Sequence, residues 1–320
     1  MRVAVADGTV ADDSWINPVA AELDIELVRG PGVTTEDLAK LTEDCSALMI
    51  ALHQMTPAII QALDPKVKII GRSGVGLDSI NLPAAAEASI VVVNQPTYAV
   101  HEVSNHAVAM LLALHRSLFP ANSIVRSAGW GSIQNLTRVH SLQDSTVGVI
   151  GCGRIGQSAI SKLHPFVKKV IGYDPFGPAN IPGVEMVSDL SELLRQSQLV
   201  TLHAPYLPST HHIIGAEQIA SMPKGSILVN VSRGGLIDED ALSDALVKGH
   251  LAAAGLDVFE KEPLSEQSPL RSAPNLILTP HMAWYSESSG PRLIEWTLRD
   301  IHSFVTEQKI TYGNFAVGPY

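Results

Sequence analysis

Three stretches of the chain end an apolar run in charged or titratable side chains. "ILVNVSRGGLIDED" carries Arg233, "AAAGLDVFEKEP" carries Asp257, Glu260 and Glu262, and "ILTPHMAWYSES" carries His281. An imidazole exchanges protons near neutrality, its unperturbed pKa being about 6.5. An arginine grips a carboxylate through two parallel N–H donors, a geometry lysine lacks. The set therefore suits proton transfer on a small anionic substrate. Taken singly, each residue has a plainer reading as a turn, a surface charge or a structural histidine.

A fourth stretch decides between these readings. "VGVIGCGRIGQSAI" holds Gly151-x-Gly153-x-x-Gly156, after an apolar run and before a helical one. In that context the first glycine makes a tight turn and the second lets backbone approach a pyrophosphate. The third allows a helix to pack on the strand, with the anion at the helix N-terminus. Arg154 and Ile155 lie between the last two glycines and join the expected cofactor contacts. The following run, "KKVIGYDP", ends in Asp174, which suits a ribose hydroxyl pair and repels a 2′-phosphate. No Arg or Lys follows in "PFGPAN", so NAD(H) is expected in preference to NADP.

The elements that carry these residues follow from periodicity. "RVAVA", "IELV", "ALMI", "VKII" and "IVVV" are nearly continuous in apolar residues, as strands covered on both faces require. Helical segments such as "TPAIIQAL" separate them. A longer helical pattern, His101 to Leu118, ends near Pro120, and a second series then begins at "TVGVIG". Asp238 caps one helix of that series, and Gly249 stands where a C-terminal glycine belongs. "SSGPRLIEWTLRDIHSFV" reads as a last amphipathic helix.

The expected fold is α/β: two Rossmann-like, doubly wound parallel-sheet domains with an interdomain cleft. A discontinuous substrate domain is expected from residues 1–98 and 287–320, and an NAD-binding domain from 99–286. In open sheets the carboxyl ends of the strands face the ligand, which brings Arg233, Asp257, Glu262 and His281 toward a nicotinamide.

Composition narrows the classes of function. The 320 residues are 46% hydrophobic, with a formal net charge of −10 and no long basic run. That charge disfavours nucleic acid and anionic membrane as partners. Cys45 and Cys152 are too far apart for a metal-type pair or a disulfide framework and read as buried thiols of a cytoplasmic protein. His211-His212 has no partner at zinc spacing, so no metal is expected.

The same stretches, with "LHAP", "GRSGVGLDSI" and "AVHEV", resemble the D-isomer-specific 2-hydroxyacid dehydrogenase family along nearly the whole chain. "TPHMAWYSES" and "LVTLHAPYLPSTHHIIG" are most similar to the branch of the C-terminal-binding proteins, which are NAD(H)-binding corepressors. The resemblance implies an NAD-dependent oxidoreductase acting on a small 2-hydroxy or 2-oxo acid, with His281 as acid/base. It makes Glu262, beside Pro263, the partner of His281, and Arg233 the anchor of substrate carboxylate and carbonyl. Asp257 is implied at the nicotinamide amide, with His203 and Val231 along the cofactor. Arg72, Val75 and Gly76 are implied at the substrate carboxylate. Trp284, three residues past His281, reads either as a cover over an apolar or thioether-bearing substrate side chain or as packing at the domain junction.

The resemblance further implies a homodimer, built in part through Arg126 to Leu136. A glutamate at 262, where formate dehydrogenases of the superfamily carry glutamine, disfavours that activity. Because the sequence stops at Tyr320, a long phosphoglycerate dehydrogenase with an added C-terminal domain is not expected, whereas a short one stays open. The rival reading is an NAD(H)-sensing, corepressor-like scaffold with little turnover.

Overall fold

The apolar runs become short parallel strands whose alternate side chains enter two different cores. The computed structural model describes residues 1–6, 12–32, 34–132, 140–178 and 180–318. These fall into two compact units, Met1–Ala99 with Tyr285–Tyr320, and Val100–Trp284.

The first unit begins with β1 (Arg2–Val5), α1 (Asp13–Glu22), β2 (Glu26–Arg29), α2 (Thr35–Leu41) and β3 (Ala47–Ile50). It continues with α3 (Pro57–Ala62), β4 (Ile69–Arg72), α4 (Leu82–Glu87) and β5 (Val91–Asn94). The second unit opens with α5 (Val100–His115), α6 (Leu118–Ala128), β6 (Thr146–Ile150), α7 (Arg154–Leu163), β7 (Lys169–Tyr173) and β8 (Glu185–Val187). It proceeds through α8 (Leu190–Gln196), β9 (Leu199–Leu202), α9 (Ala216–Ser221), β10 (Ser226–Asn230), α10 (Glu239–Val247), β11 (Leu251–Leu256) and β12 (Leu276–Leu278). The chain then returns to the first unit with α11 (Ser289–Glu307) and β13 (Asn314–Val317).

In the first unit the strand order is β13-β5-β4-β3-β1-β2, parallel except for β13, which runs antiparallel to β5. Val3, Val5, Met49, Ile69, Val91 and Val93 face one core with Ile294, Leu298 and Ile301 of α11. Their neighbours Ala4, Leu48, Ile50, Ile70 and Val92 face the other, with Leu38 and Ile60. Each fully buried aliphatic side chain contributes about 1.5–3 kcal/mol, so this alternation fixes the register. Gly71 lets α11 sit close on β4, because a Cβ there would lie 2.5 Å from Ile301 Cδ1.

The second sheet runs β12-β11-β10-β9-β6-β7-β8, entirely parallel. Val147, Val149, Val170, Leu199 and Val229 pack with Ala107, Met110 and Leu111 of α5, and Ile150, Ile171, Val200 and Leu228 pack on the opposite face. The chain winds outward in both directions from β6. The crevice beyond the carboxyl ends of β6 and β9 is therefore the expected ligand position of such a sheet.

The break in the long helical pattern differs from expectation. α5 stops at His115, Ser117 takes a left-handed φ of 50°, and α6 starts at Leu118. Pro120 thus lies in the first turn of α6, where its missing N–H costs no hydrogen bond. In the Arg126–Leu136 segment, Arg126 to Ala128 close α6, and residues 133–136 lie outside the described ones. Among the described residues no single helix is long and apolar enough to cross a membrane.

One buried carboxylate ties the end of the chain to the first sheet. Asp300, fully buried on α11, accepts the N–H groups of Thr311 (2.7 Å), Tyr312 (3.0 Å) and Gly313 (2.7 Å) and Gln95 Nε2–H (2.9 Å). Removing such an acceptor leaves several buried donors unpaired. Asp300→Ala is expected to lower stability by about 3 kcal/mol or more in urea unfolding. A change below about 1 kcal/mol would mean that the segment holds itself without the carboxylate.

Candidate functional site

The glycine loop joins β6 to α7, and its three glycines meet three different constraints. Gly151 has φ +88°, and a Cβ on it would lie 2.4 Å from Ala204 N. Gly156 sits so close to the loop that a Cβ would be 2.0 Å from Gly151 O. At Gly153, the N-cap of α7, a Cβ would meet nothing within 4 Å. No internal packing demands a glycine there, whereas close approach of a pyrophosphate to the helix N-terminus does. Arg154 and Ile155 form the first turn of α7.

Asp174 follows β7 directly and lies over this loop. Its Oδ2 accepts the Cys152 N–H at 2.8 Å, and its Oδ1 accepts the Phe176 N–H at 3.0 Å. Burial, with the Asp174 charge adding to it, pushes the Cys152 thiol up to about 12, so this cysteine stays protonated and inert.

His203 follows β9 beside the loop. Its Nε2 is 3.1 Å from Thr201 Oγ1, and its buried Nδ1 has no partner among the described residues. Desolvation lowers this imidazole to about 4, so it is neutral at pH 7. Val231, just past β10, is buried. An open glycine, a ribose-type carboxylate and an orphaned imidazole nitrogen together fit a dinucleotide.

Farther along the same sheet, four of the expected residues converge. Glu262 Oε2 lies 2.7 Å from His281 Nδ1, and Glu262 Oε1 accepts the Phe259 N–H at 3.0 Å. Burial acts to raise the Glu262 pKa. The His281 hydrogen bond and charge, the Phe259 N–H and the Arg233 charge outweigh it and hold the carboxyl below its usual value. An ionised Glu262 can only accept, so Nδ1 carries the proton of that bond and Nε2 is the nitrogen left for exchange. Arg233 follows β10 and is half-buried, with its Nη1 donating to Ser232 O at 2.8 Å.

Asp257, fully buried, organises the loop on which His281 stands. Its carboxylate accepts Thr279 Oγ1–H (2.5 Å), the Met282 N–H (2.9 Å) and the Ala283 N–H (2.8 Å). Its carbonyl accepts the His281 N–H at 2.7 Å, and His281 itself takes a left-handed φ of 52°. Thr279 Oγ1, donating to Asp257, accepts in turn from His106 Nε2 at 3.0 Å. Sequence reasoning missed His106 and the anchoring by Asp257, since nothing local links α5 to the loop after β12. Trp284, half-buried, closes this unit.

Arg72, Val75 and Gly76 belong to the first unit, at and beyond the end of β4. The Arg72 guanidinium folds over Gly74, where a Cβ would lie 1.6 Å from its Nη1, and Nη1 donates to Ser73 O. The loop is held from below: Gln95 N–H donates to Gly74 O at 2.9 Å, and Asn94 Nδ2 donates to Val75 O at 2.6 Å. Gln95 is the residue that Asp300 grips.

The histidine pair at 211–212 departs from expectation. The loop after β11 brings Glu260 to it, so that donor atoms of His211, His212 and Glu260 all lie within 4.8 Å of one another.

The profile of the D-isomer specific 2-hydroxyacid dehydrogenase family, NAD binding domain, matches residues 108–283. The chain is 40% identical to D-3-phosphoglycerate dehydrogenase of Methanocaldococcus jannaschii over 90% of its length and 54% of that protein. It thus spans about half the length of that relative. It is 34% identical to glycerate dehydrogenase of Methylorubrum extorquens, over 85% of this chain and 86% of that one. Among solved structures it superposes on D-lactate dehydrogenase of Aquifex aeolicus, complexed with NAD and lactic acid, with a TM-score of 0.89. That match has 27% identity and covers the whole of both chains.

The neutral state of His203 has a measurable consequence. The unfolded chain protonates this residue at about 6.5, the folded protein at about 4. Stability should therefore fall as the pH is lowered through that window and be level above it. His203→Gln is expected to flatten the fall in urea midpoints; parallel curves for the two proteins would mean that His203 is not desolvated.

Proposed function

The chain belongs to the D-isomer-specific 2-hydroxyacid dehydrogenase family, and from that premise we propose that it is an NAD-dependent 2-oxo acid reductase. The observation that carries this reading is the Glu262–His281 hydrogen bond, in the same unit as a glycine loop fitted to a dinucleotide.

NADH, when bound, supplies the hydride that reaches C2 of the oxo acid. His281 Nε2–H gives its proton to the carbonyl oxygen. Glu262, ionised, holds the opposite ring nitrogen, sets the tautomer and balances the charge whenever the imidazole is protonated. Arg233 grips the substrate carboxylate as a planar fork. Arg72 and the backbone at Val75 and Gly76, in the first unit, are suited by their chemistry to a carboxylate. Trp284 is assigned to the substrate side chain, which favours an apolar or thioether-bearing acid.

Gly151, Gly153, Arg154, Ile155 and Gly156 are assigned to the pyrophosphate, and Asp174 to the adenosine ribose, with NAD preferred over NADP. His203 and Val231 line the cofactor in this reading. Asp257 is assigned to the nicotinamide amide as well as to the His281 loop. A homodimer in the cytoplasm completes the reading; the exposed Leu118, Phe119 and Val125 of α6, with Trp130 beyond it, support self-association.

The test is NADH oxidation with a panel of 2-oxo acids, from glyoxylate and hydroxypyruvate to phenylpyruvate and 4-methylthio-2-oxobutyrate. Turnover with one class establishes the reductase, and tight NADH binding without turnover on any acid favours the scaffold. His281→Asn is expected to lower turnover about 100- to 10,000-fold and leave NADH affinity intact; near-normal turnover would remove His281 from the mechanism. Asp174→Ala is expected to narrow the preference for NAD over NADP in kcat/KM, and an unchanged ratio would assign the ribose to another group.

A further inference from the structure

His211, His212 and Glu260 take no part in the proposed reduction, yet each is held in place by a separate contact. His212 adopts a left-handed φ of 48°, a strained conformation for a residue with a side chain. Its N–H donates to Gly235 O at 2.8 Å, and its Nε2 lies 3.3 Å from Glu260 Oε1. Glu260 is fixed through its own N–H, which donates to Glu239 Oε1 at 2.7 Å. His211 stacks on His212, with ring centroids 3.8 Å apart, and its Nδ1 is 3.2 Å from the Tyr206 hydroxyl. The Tyr206 ring is seated against Gly235, where a Cβ would fall 2.6 Å from Tyr206 Cε2.

We propose that these three residues form a binding site for a divalent transition-metal ion of the zinc type, with solvent in the fourth position. Two ligands each about 2.1 Å from a tetrahedral ion stand about 3.4 Å apart, close to the 3.3 Å between His212 Nε2 and Glu260 Oε1. Two imidazoles and one carboxylate form a donor set that zinc accepts. Ligating histidines generally donate their second ring N–H to an outer partner, and the Tyr206 oxygen, 3.2 Å from His211 Nδ1, is placed to take that role in the metal-bound tautomer. With Nδ1–H so committed, Nε2 is the nitrogen left to ligate, and the ring turns out of its stack on His212 to aim it, because two imidazoles on one tetrahedral ion hold their centroids about 5 Å apart. A surface His–Glu ion pair alone contributes little to stability, and it gives no reason for a second imidazole beside the first. The site lies wholly in the second unit and does not depend on the proposed reductase activity.

The test is metal binding to the full chain after treatment with a chelator. Titration with Co2+ is expected to give the visible absorption of a four-coordinate site, displaced by Zn2+ at one ion per chain. His212→Ala and Glu260→Gln should each weaken binding by about 100-fold, and Tyr206→Phe by about 10-fold. Zn2+ should raise the Tm of the unaltered protein and leave that of His212→Ala unmoved, a comparison made on proteins shown to be folded by circular dichroism. No saturable Co2+ binding, or binding equal in all three variants, would overturn the site; the second result would put the metal elsewhere, for instance on Glu262 and His281.

Discussion

The candidate site depends on one charge-assisted hydrogen bond, from His281 Nδ1 to Glu262 Oε2 at 2.7 Å. The two residues come from different loops, and each loop has its own restraint. Phe259 N–H holds the other oxygen of Glu262, and Asp257 gathers Thr279, Met282, Ala283 and the His281 N–H. The buried Asp257 carboxylate is costly unless fully hydrogen-bonded, and those donors satisfy it. Its cost is offset by fixing the backbone that aims an imidazole. The left-handed φ of His281 is tolerated because its surroundings determine it from several sides.

The same logic recurs in the first unit with different chemistry. Asp300 collects four N–H donors in the interior and through Gln95 supports the backbone of Gly74. Asn94 supports Val75 alongside. A loop proposed to hold an anion thus hangs from the end of a parallel sheet on side-chain amides. Those amides are in turn fixed by a carboxylate from the returning helix. In both units the sheet supplies the position and a buried carboxylate supplies the rigidity.

Much of the sheet architecture was legible in the sequence. Val-rich runs covered on both faces have a signature that alternating strands lack, and Gly151, Gly153 and Gly156 stand where a strand turns into a helix. β8 and β13 were not legible. β8, "EMV", is a three-residue edge strand, and β13, "NFAV", forms only by antiparallel pairing with β5. Both are edge strands, mostly exposed or half-buried, and neither belongs to a run rich in Val and Ile. The helix break before Pro120 was misplaced because a proline is as comfortable in the first turn of a new helix as after the end of an old one.

For the candidate site, residue types were legible and partnerships were not. Nothing in "THH" announces Glu260, 48 residues beyond His212, and nothing in "TPH" announces His106. Gln95 and Asp300, 205 residues apart, meet only because α11 returns to the first sheet. Partners of this kind are fixed by topology, so a linear reading finds the chemistry and misses its supports. The most direct measurement of the central claim is a double-mutant cycle on kcat/KM with Glu262→Gln and His281→Asn. If the two act as one acid–base unit, adding Glu262→Gln to His281→Asn costs almost nothing further, because there is no imidazole left to orient. Losses that multiply in the double variant would show that the two work independently and would contradict the account.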